Sequence, residues 1–124
     1  MAGLNMFAAQ EPELAEKIQP IFITIDPARD TPEILKQYTS AFHDRLIGLS
    51  GSEEDIAATA KKYAVSYAKV DDPSGTYLIS HSQTPFLMDP KGNPIAILPA
   101  DQPQTDDNEG RPELVAEALA TWVR

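Results

Sequence analysis

The strongest pattern in the chain is the run Pro20-Ile-Phe-Ile-Thr-Ile-Asp26, apolar and β-branched with little polar alternation. Such a run predicts a strand covered on both faces, near the centre of a sheet. Ahead of it, Leu4 to Lys17 is rich in helix formers, and Pro12 limits how far one helix can extend. Behind it, Thr31-Pro32-Glu33 has the order of a helix start: a capping hydroxyl, a proline suited to the first helical position and an acid at the positive end of the dipole. Ile34, Leu35, Tyr38, Ala41 and Phe42 follow at helical spacing and predict an apolar stripe. Leu46 to Ser50 reads as a short strand. Ser52-Glu-Glu-Asp55 opens a further helix as a capping box with Asp in the place of Glu, and it presents Ile56, Ala60 and Tyr63. Strand, helix, strand, helix in this order predicts parallel pairing through right-handed crossovers.

The second half is punctuated differently. Val65 to Val70 alternates weakly and predicts a strand, and Asp71 to Thr76 a turn. Thr84 to Asp89 and Pro94 to Leu98 flank Pro90-Lys-Gly-Asn93, which predicts a β-hairpin closed by a turn with Pro second and Gly fourth. Pro99 to Gly110 is a polar loop, and from Pro112 a last helix carries Leu114, Val115, Ala118, Leu119 and Trp122 as its stripe. The order helix, strand, helix, strand, helix, hairpin, helix resembles the α/β thioredoxin-like architecture. The expected organisation is one domain over residues 1–124.

Composition narrows the function classes. Asp and Glu number 19 against 10 Lys and Arg, a net charge of −9, which repels nucleic acid and anionic membrane surfaces. The absence of cysteine excludes disulfides, thiolate metal sites and cysteine nucleophiles within these residues. Peroxidase or reductase chemistry, which needs an activated thiolate, has no residue here to run on. The start of the chain reads as neither a signal peptide nor an anchor, and no apolar run reaches membrane-spanning length.

Few residues are candidates for chemistry. His81, in a loop before an apolar strand, carries the side chain that titrates nearest neutrality and ligates metals most often; taken alone it reads first as a structural or exposed histidine. His43, at the expected end of a helix, reads as a structural cap. Asp26, Arg29 and Asp30 share a loop at the carboxyl end of the buried strand, the edge where α/β folds place ligands. They read either as an internal ion pair fixing that loop or as carboxylates available for acid and base work. Asp101, Asp106, Asp107 and Glu109 lack the spacing of a calcium loop and read as solvated. Thr84-Pro85 marks either a cis bond turning the chain into the sheet or the first residue of an edge strand.

Four segments together, Ile18-Gln-Pro-Ile-Phe-Ile-Thr-Ile-Asp-Pro-Ala-Arg-Asp-Thr-Pro-Glu33, Ile47-Gly-Leu-Ser-Gly51, Tyr77-Leu-Ile-Ser-His81 and Leu87-Met-Asp-Pro-Lys-Gly92, resemble the Sco/SenC family. These are thioredoxin-like copper-binding proteins that help metallate the copper A centre of cytochrome c oxidase. The resemblance implies an assembly factor of copper chaperone or thiol-disulfide reductase type, a metallochaperone more than an enzyme, working outside the cytoplasm with an oxidase subunit or another copper carrier. The family holds copper through two cysteines of a CxxxC motif and a histidine just before a later strand. By its place after Tyr77-Leu-Ile and before the hairpin glycine, His81 matches that histidine, with Asp26, Asp30 and Pro85 as site-adjacent candidates. Ser80 stands where the family usually has an acid, which removes a hydrogen-bond partner for the imidazole.

Both cysteines are absent, and Met1 to Lys17 aligns with the helix that follows CxxxC, so the chain is expected to begin just after the second cysteine. The thioredoxin-like fold would then be incomplete. Its missing strand would lie between those matching Pro20 to Asp26 and Thr84 to Asp89, which predicts direct pairing of the two or a strand recruited from another copy as a homodimer. A cysteine-free interaction module with no metal or redox activity is the alternative function.

Overall fold

The computed structural model describes residues 1–81, 85–99 and 111–123. They fall into two compact units: residues 1–18 with 85–99 and 111–123, and residues 19–81.

In the first unit the helix formers of the N-terminus give α1 (Ala2–Gln10) and a single turn, α2 (Pro12–Ala15). The break falls at Pro12, which opens α2 as its first residue. The last helix, α5 (Pro112–Trp122), also starts on its proline. Gly3 permits the approach of α1 to α5: a Cβ there would lie 2.5 Å from Val115 Cβ. One turn on, Phe7 is fully buried and clusters with Ala15, Ala116 and Leu119. Of the expected α5 stripe, Leu119 is buried, Trp122 stays half exposed, and the small Ala116 takes a core position. The hairpin forms as expected from β5 (Phe86–Met88) and β6 (Pro94–Ile97), antiparallel, with Leu87 and Leu98 against the helical core. Gly92 N–H donates to Asp89 C=O to close the turn, and Gly92 takes φ +85°, a region that favours glycine.

The second unit begins with β1 (Ile21–Ile23), parallel to β2 (Ile47–Leu49) as the strand–helix–strand order requires. Between them α3 (Pro32–Phe42) is capped by Thr31, whose hydroxyl accepts from Ile34 N–H. Gly48 of β2 makes room for Leu35 of α3: a Cβ there would stand 2.5 Å from Leu35 Cγ. Phe22 and Tyr38 rings meet at 5.2 Å, and Tyr38 and Phe42 at 4.9 Å.

Two expectations about this region need correction. The apolar run is not covered on both faces: Ile21 is 55% exposed, and Ile23, Ile47 and Leu49 are also exposed beside it. Only the Phe22–Gly48 face carries the helix α3. The α3 stripe is likewise only partly used, since Leu35 is buried while Ile34, Tyr38 and Phe42 remain about half exposed. One narrow sheet face accommodates one row of the helix and leaves the flanking rows uncovered. Among the described residues each strand has one partner within its own unit, β1 with β2 and β5 with β6.

The helix α4 (Glu53–Lys62) starts on a complete capping box, with Ser52 Oγ accepting from Asp55 N–H and Asp55 Oδ2 from Ser52 N–H. Three acids in its first turn and Lys61 and Lys62 in its last complement the dipole. Ser52→Ala is expected to lower stability by about 1 kcal/mol, read as a shift in urea midpoint at unchanged slope. Ile56 and Ala60 are buried, whereas Tyr63 keeps 37% of its surface exposed. Two further strands, β3 (Tyr67–Asp71) and β4 (Tyr77–His81), pair antiparallel along their whole length. The sequence predicts β3 but not β4. The acidic loop of residues 100–110 lies outside the described residues.

Candidate metal site

His81 is the last residue of β4 and pairs with Tyr67 of β3, so it ends a strand of its own rather than sitting in a loop. Asp26 and Asp30 lie in the same unit, on the loop that leaves β1. Pro85 belongs to the other unit, where its C=O accepts from Leu98 N–H; the Thr84–Pro85 bond lies outside the described residues.

The loop after β1 is built on Thr24, which is fully buried. Its hydroxyl donates to Asp30 Oδ2 at 2.5 Å and accepts from Asp26 N–H at 3.0 Å. Asp26 C=O in turn accepts from Arg29 N–H and Asp30 N–H. One buried hydroxyl and one carbonyl therefore hold both carboxylate-bearing residues, which is how a short polar loop can leave an apolar strand without orphaned donors.

Asp26 is only 6% exposed, and its carboxylate is satisfied by two groups. Tyr77 Oη donates to its Oδ2 at 2.8 Å, and Arg29 Nε lies 3.6 Å from the same oxygen. The ion-pair reading of this loop is thus the one realised for Asp26, while Asp30 pairs with Thr24 rather than with the guanidinium. Arg29 also stacks on the Tyr77 ring, its Cζ 3.5 Å from the centroid, and donates from Nη2 to Tyr77 C=O at 2.5 Å. The Lys69 ammonium lies 4.9 Å from that centroid and 4.0 Å from Glu53 Oε1. A cleft of about 280 Å³ opens beside this network, lined by Ile25, Asp26, Ile56, Tyr67 and Lys69 among others.

The hydrogen bond to anionic Asp26 holds the Tyr77 hydroxyl above the usual phenol range, with partial burial adding to it and Arg29 and Lys69 opposing. A raised phenol pKa means that the folded state keeps this proton more tightly than the unfolded chain. The stability it contributes is complete below the unfolded value near 10 and is lost as pH rises through the folded one. Urea unfolding between pH 8 and 11 is expected to show a steeper loss above pH 10 in the native sequence than in Tyr77→Phe. Parallel curves would contradict the bond.

Thr24 and Tyr77 carry this network, yet neither stands out as a site residue in the sequence. The only local sign of Thr24 is a hydroxyl inside an otherwise apolar run, and Tyr77 is bonded to residues 48 and 51 positions away. His43 ends α3, donating its N–H to Thr39 C=O and accepting from Arg45 N–H at Nδ1, as a structural cap would.

The family model described as SCO1/SenC matches residues 1–118. The chain belongs to the SCO1/SenC family. It is 39% identical over 109 residues to "Protein SCO2, mitochondrial" of Saccharomyces cerevisiae, covering 86% of this chain and 35% of that protein. A "SCO2-like protein" of Rickettsia felis is 47% identical over 77 residues, covering 60% of this chain and 38% of the relative. The chain therefore spans little more than a third of the length of these two relatives. Among solved structures it is similar to Bradyrhizobium japonicum ScoI with copper bound, at 31% identity and TM-score 0.74, over 98% of this chain and 70% of that one. Yeast Sco1 gives 32% identity and TM-score 0.68 over 98% of this chain and 71% of that one. The SCO1/SenC fold here is α/β and thioredoxin-like, as the element order predicts.

The donor set does not by itself fit a copper ion. The chain has no cysteine, and among the described residues no three His, Asp or Glu side chains converge as a metal cage. Among the described residues no helix is long and apolar enough to cross a membrane.

Proposed function

We propose that this chain is part of a copper carrier serving assembly of the copper A centre of cytochrome c oxidase, with His81 supplying one ligand to the transported ion. The observation that carries the reading is the SCO1/SenC match, which runs through His81 and the segments on either side of it. Copper-bound structures of ScoI from Bradyrhizobium japonicum and Arabidopsis thaliana, both similar to this chain over nearly its whole length, support it. The role is that of a metallochaperone, its partners an oxidase subunit or another copper carrier, its compartment outside the cytoplasm.

One imidazole does not hold copper(I), which prefers soft thiolates. The two thiolates are expected from a CxxxC segment preceding these residues in a longer product, whose strand would add to the outer edge of β1. Ile21 and Ile23 on β1, with Ile47 and Leu49 beside them, would be covered in part by that addition. Among the described residues that edge of β1 carries no strand, so without the addition it is available to a strand from a second copy, and light scattering of the 124-residue chain is expected to show a dimer.

Competition with a chromogenic copper(I) chelator tests the reading. The 124-residue chain should leave the chelator's copper untouched, and a product extended through CxxxC should strip it. If neither form takes copper, the carrier reading fails and a cysteine-free interaction module replaces it. Equal affinity in both forms would show that the thiolates are dispensable, which also overturns it.

A further inference from the structure

The strand that ends at His81 has little to hold it. It pairs only with β3 among the described residues, and a two-stranded ribbon is marginal on its own. What fixes it is at its other end. Tyr77 is gripped at three points by two residues of the loop after β1: its hydroxyl by Asp26, its ring and its carbonyl oxygen by Arg29.

The loop making this grip is itself anchored in the interior. Thr24, fully buried, bonds both Asp26 and Asp30, so the position of Arg29 is referred to the end of β1 rather than to solvent. Arg29 suits the task because a planar guanidinium can stack on a ring and direct a fixed N–H at the same time. A lysine ammonium can lie over a ring, as Lys69 does here, but it has no plane to stack and no donor held in a fixed direction. The consequence extends along the strand, since residues rise about 3.3 Å each and a slip of one residue exchanges its two faces. The place where Tyr77 is held therefore sets where His81, four residues on and roughly 13 Å away, is presented.

We propose that Arg29, with Asp26 behind it, is a positioning residue that locks β4 at Tyr77 and thereby places His81. The proposal rests on the reading of His81 as a ligand only for its meaning, and its test is independent of metal. In Arg29→Lys, amide exchange across residues 77–81 is expected to rise about tenfold and the His81 ring resonances to shift at fixed pH. The His43 resonances and the exchange of α1 and α5 should stay where they are. Tyr77→Phe, which keeps the ring and the carbonyl acceptor and loses only the bond to Asp26, should give a smaller change of the same kind, and it serves if Arg29→Lys does not fold. Unchanged His81 resonances and unchanged exchange in folded variants would overturn the proposal.

Copper separates this outcome from failure of the carrier reading. In a product carrying CxxxC, Arg29→Lys should weaken copper(I) binding several-fold, less than His81→Ala does. If His81→Ala has no effect on copper while Arg29→Lys still moves the His81 signals, the lock stands and the carrier reading falls. If His81→Ala weakens copper and Arg29→Lys changes neither copper nor the signals, the lock falls and the carrier reading stands.

Discussion

Phe7→Ala is expected to cost about 3–5 kcal/mol and to be the most damaging single substitution in the helical unit. Phe7 is fully buried where α1 meets α5, and its neighbours Ala15 and Ala116 are too small to fill the space its ring would leave. The helices cannot close over the gap either. At Gly3 they already approach to the limit set by Val115, so a cavity would remain. Small domains have about 5–15 kcal/mol in total, so this loss would move a large share of the molecules to the unfolded state under mild denaturant. Trp122, at the end of α5, gives the fluorescence signal for a urea titration. A loss under 1 kcal/mol would mean that α1 is not packed on α5 as described.

Thr24→Val is expected to cost about 1–3 kcal/mol although it barely changes the volume of the side chain. The hydroxyl it removes is buried and bonded on both sides, to the Asp30 carboxylate and to Asp26 N–H. Valine would leave a buried donor without an acceptor and deprive a carboxylate of its short bond, while the added methyl returns little. Thr24→Ser keeps the hydroxyl and loses only a methyl group, so it separates the two contributions. Serine should retain most of the stability that valine loses. If valine were neutral and serine destabilising, packing rather than hydrogen bonding would hold the loop.

What could be read from the sequence divides along the range of the forces involved. The starts of α3 and α4 were legible because Thr31 with Pro32 and Ser52 with Asp55 act within three residues, and the structure shows both caps. The β5–β6 hairpin was legible for the same reason, its turn being fixed by Pro90 and Gly92. The exposure of Ile21 and Ile23 was not, because a β-branched run states that a strand forms and is silent on whether both its faces find cover. β4 escaped because Tyr77 to His81 is five residues long, and its stability comes from β3 and from Arg29. Asp26, Arg29 and Asp30 were recognisable as a cluster by proximity in sequence, yet the partners that give each its role, Tyr77 and Thr24, are set by the fold. Family membership was the most legible feature, since the segment from Ile18 to Glu33 combines an apolar strand, an Asp-Pro turn and a capped helix start in one stretch.

The proposed function turns on His81 acting as a copper(I) ligand in a product that carries CxxxC. Copper(I) affinity by chelator competition tests it most directly, on a product that includes CxxxC, with the native sequence, His81→Ala and His43→Ala compared. His81→Ala should weaken binding by at least an order of magnitude, and His43→Ala should leave it unchanged. Equal affinity in all three would contradict the account.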